Sequence, residues 1–219
     1  MFRHCMWNRV SSFFARAFSS SSKAGMQTEH FVLKGRRLRE PFPEGLKTAA
    51  FGTGCFWGGE RAFWSIPGVY STAVGYTGGK VDNPTYEQVC SGRTGHNEVA
   101  QVVYDPKKVK FYDILKVFWE CHDPRQGNRQ GNDRGTQYRS GIYCTDEEQF
   151  KLAAKTAVLY SKALTADGKN GKLTTEIVGP PNTPKFYYAE DYHQQYLAKP
   201  GSRQYCSAQP TGVDLPPLE

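Results

Sequence analysis

The residues best suited to chemistry begin with Cys55, in the run Gly52-Thr53-Gly54-Cys55-Phe56-Trp57-Gly58. Glycines flank it and a helical pattern follows, so the thiol lies where a strand meets a helix. At a helix N-terminus the backbone N–H groups and the dipole favour the thiolate, which is the nucleophilic form. A free thiol with a pKa of about 8.5 is only a few per cent ionised at neutral pH, and lowering that value by one unit favours the thiolate by about 1.4 kcal/mol. Phe56 and Trp57 beside it fit the wall of an apolar pocket. The same run also fits a blander role, because free cysteines are commonly small buried hydrophobes and aromatics are commonly core.

A second constellation is Tyr86, Cys90 and Gly92-Arg93-Thr94-Gly95-His96-Asn97-Glu98. Glu98 opens an apolar strand, where burial would raise its pKa and leave a neutral acid able to donate a proton. An exposed strand-end glutamate is the alternative. A third is the polar loop Gly131-Asn132-Asp133-Arg134-Gly135-Thr136-Gln137-Tyr138-Arg139-Ser140. Its Tyr138 hydroxyl can donate a hydrogen bond into a site, or the loop is a turn with a packing tyrosine.

The elements that must position these groups follow from periodicity and turn residues. Strands are expected at 48–52, 69–76, 96–104, 140–144 and 173–178, and helices at 55–66, 112–121 and 146–164, with a short helical turn at 84–90. Residues 127–139 read as a loop. The order is β-α-β-β-α-β with additions, which predicts an α+β fold with a ferredoxin-like split βαβ core, extra helices and a long coil tail.

The chain has 219 residues and a net charge of +7. Residues 1–25 contain no acid, carry Arg3, Arg9, Arg16 and Lys23, and end near a serine run. Wound as a helix, their apolar residues share one face. That composition predicts a mitochondrial or plastid transit peptide, hence mitochondrial localisation, with a cytosolic form from a start at Met26. Without those four cations the remainder holds 24 basic and 21 acidic residues, so no nucleic-acid partner is demanded. No apolar run approaches the ~18 residues of a membrane span. Residues 26–46 read as a solvated linker that includes Lys34, Arg36, Arg37 and Arg39. Residues 47–200 are the expected catalytic domain and 201–219 a mobile tail. The six cysteines have wide spacings with no C-x-x-C pair, so neither a zinc ribbon nor a thioredoxin-type dithiol is expected.

Four stretches together resemble the A-type peptide methionine sulfoxide reductase family. They are GCFWG, YEQVCSGRTGHNE from Tyr86 to Glu98, HDPRQGNRQGNDRGTQYRS from His122 to Ser140, and FYYAEDYHQQYL from Phe186 to Leu197. The resemblance covers roughly residues 45–206. It implies that Cys55 attacks the sulfoxide sulfur, that Glu98 protonates the sulfoxide oxygen, and that Tyr86 and Tyr138 donate hydrogen bonds to that oxygen. It further implies that Asp133 orients the polar side of the site and that Phe56 and Trp57 hold the ε-methyl group. Specificity for the S epimer comes only from this resemblance. Oxygen transfer would leave Cys55 as a sulfenic acid, which condenses with a second thiol. Cys206 is the expected resolving thiol, since it follows Tyr205 as the family's first recycling cysteine does. A second tail cysteine, present in many members, is replaced here by Asp214. One Cys55–Cys206 disulfide reduced directly by thioredoxin is therefore the simpler scheme. No prosthetic group or metal is expected, and the partners are oxidised proteins or methionine sulfoxide and thioredoxin, with the enzyme a monomer.

Packing roles are expected for Cys90, Cys121 and Cys144, and structural roles for His96, His122 and His193. Two other thiol enzymes fit the residues less well. A Cys–His hydrolase needs a base such as His96 beside Cys55, and a thiol peroxidase would also cycle through a sulfenic acid. A non-enzymatic redox or metal-binding module is disfavoured by the scattered cysteines.

Overall fold

The two longest strands, buried on both faces, set the frame of a central sheet. The computed structural model describes residues 26–218. Its strands are β1 (Lys47–Thr53), β2 (Val69–Thr77), β3 (Asn97–Tyr104), β4 (Arg129–Gln130), β5 (Asp133–Arg134), β6 (Ser140–Cys144), β7 (Glu176–Val178) and β8 (Tyr187–Tyr188). The helices are α1 (Phe56–Trp64), α2 (Tyr86–Cys90), α3 (Phe111–Glu120) and α4 (Glu147–Ala166), with single 3-10 turns at Thr136–Tyr138 and Tyr196–Ala198.

Six strands form one sheet in the order β7-β6-β1-β3-β2-β8, while β4 and β5 form a separate hairpin. Neighbours in the large sheet are antiparallel except for β6 and β7, so the sheet is mixed. Because β3 lies between β1 and β2, helix α1 connects two strands that do not pair. The architecture is thus mixed α/β, with a central mixed sheet and several helices.

One face of the sheet carries Phe51, Ala100, Val102, Tyr104 and Ile142 into a core with Phe63 of α1, Ile114, Leu115, Phe118 and Trp119 of α3, and Ala153, Tyr160 and Leu164 of α4. In α4 those three residues recur at helical spacing, and Asp146 caps its start by accepting from Gln149 N at 2.8 Å. The alternate residues of the strands, Ala50, Val99 and Tyr143, pack on Val178 and Phe186.

Residues 26–46, expected as a linker, fold back as an arm along the domain. His30 and Leu38 are fully buried there. Arg39, from the basic run, pairs with Asp191 at 2.8 Å and lies over the Tyr188 ring. At the other end the coil is pinned as well. Val213 and Leu215 enter the core, Leu215 N donates to Glu120 Oε1 at 2.8 Å, and Tyr112 OH donates to the Pro216 carbonyl at 2.7 Å. No helix among the described residues is long and apolar enough to cross a membrane. The leader expected at 1–25 lies outside the described residues.

Candidate active site

The end of β1 and the start of α1 fix the first sulfur. Gly54 turns the chain with φ 91°, and a Cβ there would lie 2.6 Å from Gln130 Cβ, so both conformation and space require glycine. Cys55 then caps α1, with no side-chain hydrogen bond of the usual capping kind. Two of the helix's unpaired N–H groups face the site instead. Trp57 N–H donates to the Cys55 sulfur, and Phe56 N–H donates to Glu98 Oε2 at 3.2 Å.

Glu98 is the second residue of β3, opposite Tyr76, and only 1% exposed. Burial pushes its carboxyl up to about 8. The Phe56 N–H opposes that shift, and the charge of Asp133 adds to it. The acid therefore holds its proton at neutral pH, as sequence position suggested. The thiol differs from expectation. Cys55 is half-buried, and its pKa is pushed well above the usual thiol range, first by burial and then by Glu98, with smaller contributions from Asp133 and Cys206. Trp57 N–H pulls the other way, as a helix N-terminus should, but does not prevail. The resting sulfur is a protonated thiol beside a protonated acid.

Tyr86, at the first position of α2, is drawn inward by Glu190, which accepts from Tyr86 N and from Tyr76 OH, each at 2.9 Å. The Tyr86 hydroxyl is pushed up by burial, then by Glu98, Cys90 and Tyr138, so these groups share one space. Tyr138 is buried in the 3-10 turn that precedes β6. Phe56 and Trp57 belong to the buried aromatic cluster against which Cys55 and Tyr86 pack. Tyr196 stacks on Trp57 at 4.0 Å, and Trp57 Nε1–H donates to His193 Nδ1 at 3.2 Å.

Asp133 and Cys206 meet through the tail. Tyr205 OH donates to Asp133 Oδ1 at 3.1 Å, and Ser207 OH donates to Oδ2. Cys206 is exposed, and its sulfur rests against Gly58, where a Cβ would lie 2.6 Å from Sγ. The side chain absent at Gly58 is what lets the second sulfur lie on the first turns of α1. Cys55 and Cys206 are not joined by a disulfide. All eight residues singled out in the sequence thus converge on one end of α1.

Sequence reasoning missed Tyr205 and Ser207 as partners of Asp133, and Glu190 and Tyr196 as supports of the aromatic wall. Their signal was their place in or beside the stretch Phe186 to Leu197 and the tail motif, not any periodicity. His193 contributes to the wall through Trp57, while His96 is spent on a turn, accepting from Gly79 N at 3.2 Å and meeting the Val81 carbonyl at 2.7 Å. His122 bridges the Phe118 carbonyl and Ser140 Oγ, both at 2.8 Å. Cys144 is buried in β6, Cys121 caps α3 rather than lying within it, and Cys90 hydrogen-bonds the Tyr86 hydroxyl. Among the described residues no cluster of three or more His, Cys, Asp or Glu side chains is arranged to hold a metal.

Residues 47–214 match the sequence model of the family described as Peptide methionine sulfoxide reductase. The chain is 60% identical over 186 residues to the peptide methionine sulfoxide reductase MsrA of Rhodospirillum centenum, covering 84% of this chain and 82% of that one. It is 55% identical over 205 residues to the protein of the same name from Azotobacter vinelandii, covering 93% and 92%. Among solved structures it resembles methionine sulfoxide reductase A of Corynebacterium diphtheriae, with a TM-score of 0.75 at 44% identity over 88% of this chain and 91% of that one. Mxr1 from Saccharomyces cerevisiae in reduced form gives 0.66 at 32% identity over 78% and 95%. These matches correct one expectation. The mitochondrial destination, with a cytosolic form from Met26, is overturned by curated relatives that are bacterial proteins.

Proposed function

The chain belongs to the peptide methionine sulfoxide reductase family, and on that premise we propose that it is a peptide-methionine (S)-S-oxide reductase that repairs methionine S-sulfoxide, free and in proteins, with thioredoxin as reductant. The observation that carries the reading is the meeting, at the N-terminus of α1, of the Cys55 sulfur with a buried acid that holds its proton at neutral pH.

The sulfoxide oxygen is a strong acceptor that leaves sulfur only when protonated. Glu98 gives it that proton, and the hydroxyls of Tyr86 and Tyr138 donate hydrogen bonds to it. Asp133 orients the polar side of the substrate, and the ε-methyl group lies against Phe56 and Trp57. Cys55 sulfur attacks the substrate sulfur and its thiol proton passes to the Glu98 carboxylate, so the acid ends the step as it began. The attack forms a bond between the Cys55 and substrate sulfurs. The protonated oxygen then passes to Cys55 as hydroxyl while that S–S bond and the substrate S–O bond break, so methionine leaves reduced by two electrons and Cys55 is left as a sulfenic acid. Cys206 thiol then condenses with it, forming the Cys55–Cys206 disulfide and releasing water. The dithiol of thioredoxin reduces that disulfide by exchange.

Two structural readings accompany this one. We infer that the core follows the split βαβ plan, supported by the order β6-β1-β3-β2, and that residues 47–200 form the catalytic domain, with 201–219 a tail carrying the resolving thiol. The deciding experiment supplies a racemic methionine sulfoxide peptide with dithiothreitol. Wild type is expected to consume half the racemate and Cys55→Ser none. Consumption of both epimers, or full activity in the variant, would overturn the assignment.

A further inference from the structure

A chain of hydrogen bonds runs from the N-terminal arm to Gln195, the neighbour in sequence of Tyr196 in the aromatic wall, and its polarity is set along its whole length. In the arm, Val32 N–H and Leu33 N–H both donate to His30 Nδ1, at 3.1 and 2.9 Å. A ring nitrogen that receives two N–H groups carries no proton, so the proton of the neutral ring is on Nε2. Nε2–H donates to Thr72 Oγ1 at 2.9 Å. The Thr72 hydroxyl proton is thereby left for Glu60 Oε1, at 3.1 Å. Glu60 also accepts from Gln195 N at 2.8 Å and from Gln195 Nε2 at 2.6 Å. Each of these hydrogen-bond partners donates to the carboxyl group. His30, Thr72, Glu60 and Gln195 are all fully buried.

The far end of the chain is a strained residue. Gln195 has φ 48° and ψ 38°, the left-handed region that a side chain with a Cβ rarely adopts. Such a conformation persists only where its surroundings over-determine it. Here Gln195 Oε1 also accepts from two arm groups, Gln27 Nε2 at 2.9 Å and Phe31 N at 3.1 Å. The next residue is Tyr196, stacked on Trp57, and two residues earlier is His193, which accepts the Trp57 indole N–H. The left-handed residue thus lies in the short stretch whose two rings meet the same indole. The arm lies before residue 47, where the family match begins.

We propose that His30, acting through Thr72, Glu60 and Gln195, is a positioning residue of the reductase that holds Tyr196 and His193 against Trp57 and so keeps the methyl pocket shaped for substrate. The role rests on the function assigned above. It is a ground-state role, because the chain touches the wall of the pocket and neither sulfur. Loss of it should raise KM and leave kcat standing.

His30 does two jobs that different substitutions separate. In His30→Asn the side-chain oxygen still accepts from Val32 and Leu33, but the reach to Thr72 is lost. In His30→Gln the amide N–H reaches Thr72. Steady-state assays of the full chain with a methionine sulfoxide peptide and dithiothreitol should give His30→Asn a KM about fivefold above wild type at unchanged kcat, with His30→Gln within about twofold of wild type. Thr72→Val, which cuts the same chain from the sheet side, should reproduce the Asn result. Active wild type with KM unmoved in His30→Asn and Thr72→Val would overturn the positioning role alone, as would equal losses in the Asn and Gln variants. Wild type that reduces no sulfoxide would overturn both this role and the reductase reading.

Discussion

Cys55 and Cys206 approach the same end of α1 on supports of different kinds. Cys55 is held by covalent geometry, between a left-handed glycine and the first turn of a helix whose Phe63 is locked into the main core. Cys206 lies in coil, held by its neighbours' hydroxyls on Asp133 and by Gln209 N donating to Gln130 Oε1 at 3.1 Å. Coil of that kind opens more readily than a strand–helix junction, since it carries few buried apolar contacts. The difference matches two demands. Oxygen transfer needs a sulfur fixed against an acid and a pocket. Disulfide formation and its reduction need a second sulfur that can shift to reach the first and then reach a partner protein.

The sharpest way to break this comparison is to remove the second sulfur. Cys206→Ser should complete about one turnover with thioredoxin and keep cycling with dithiothreitol, which reduces a sulfenic acid without a resolving thiol. The measurement is methionine formed per enzyme with each reductant. Sustained cycling of the variant with thioredoxin would mean that a different cysteine resolves, and the division of labour between frame and coil would fail.

The next largest effect belongs to the frame. Glu98→Gln keeps an acceptor for Phe56 N–H and the size of the side chain but removes the acid. The oxygen-transfer step should slow by about 10²- to 10⁴-fold, the usual range for a positioned proton donor. Wild type should also lose kcat/KM as pH rises through about 8, where the Glu98 proton is lost, and the Gln variant should lack that limb. The sign for stability agrees. Folding raises the Glu98 pKa from 4.5 to about 8, so its contribution is present below the unfolded value and is lost as pH rises toward 8. A wild-type pH profile flat between 7 and 9 would remove Glu98 from the role of acid.

The frame and the coil character of the tail are legible in the sequence, while the contacts that hold the tail are not, for physical reasons. Strand β2 is legible from alternation and its turn residues, β1 and β3 from their apolar residues, and the junction at Cys55 from its glycines. The thiol's raised pKa is not legible, because the sequence displays the helix N-terminus but not the burial that outweighs it, nor how close a separate strand brings Glu98. Two-residue strands such as β8 are too short for alternation to register. The arm reads as a linker because its charges dominate its composition, while His30 and Leu38, the residues that bury, are two among many. Nor does any local pattern announce that Tyr205 and Ser207 will share one carboxylate. That convergence depends on where the tail crosses the loop after α3.

The smallest effect tests whether the tail's contact with Asp133 restrains Cys206 or guides it. Tyr205 OH and Ser207 OH occupy both oxygens of the carboxylate in the resting site, so the tail covers the polar group assigned above to the substrate. Ser207→Ala removes the hydrogen bond from the buried Ser207 to the half-buried Asp133 and leaves Tyr205 and Gln209 in place. If the contact is a restraint, the Cys55–Cys206 disulfide should form about threefold faster after a single turnover, while sulfenic acid formation changes by less than about twofold. Rapid quenching followed by thiol counting separates the two steps. Slower disulfide formation would show instead that the hydroxyl aims Cys206 at Cys55. The coil would then be part of the positioning frame, and the contrast between the two sulfurs would be one of degree.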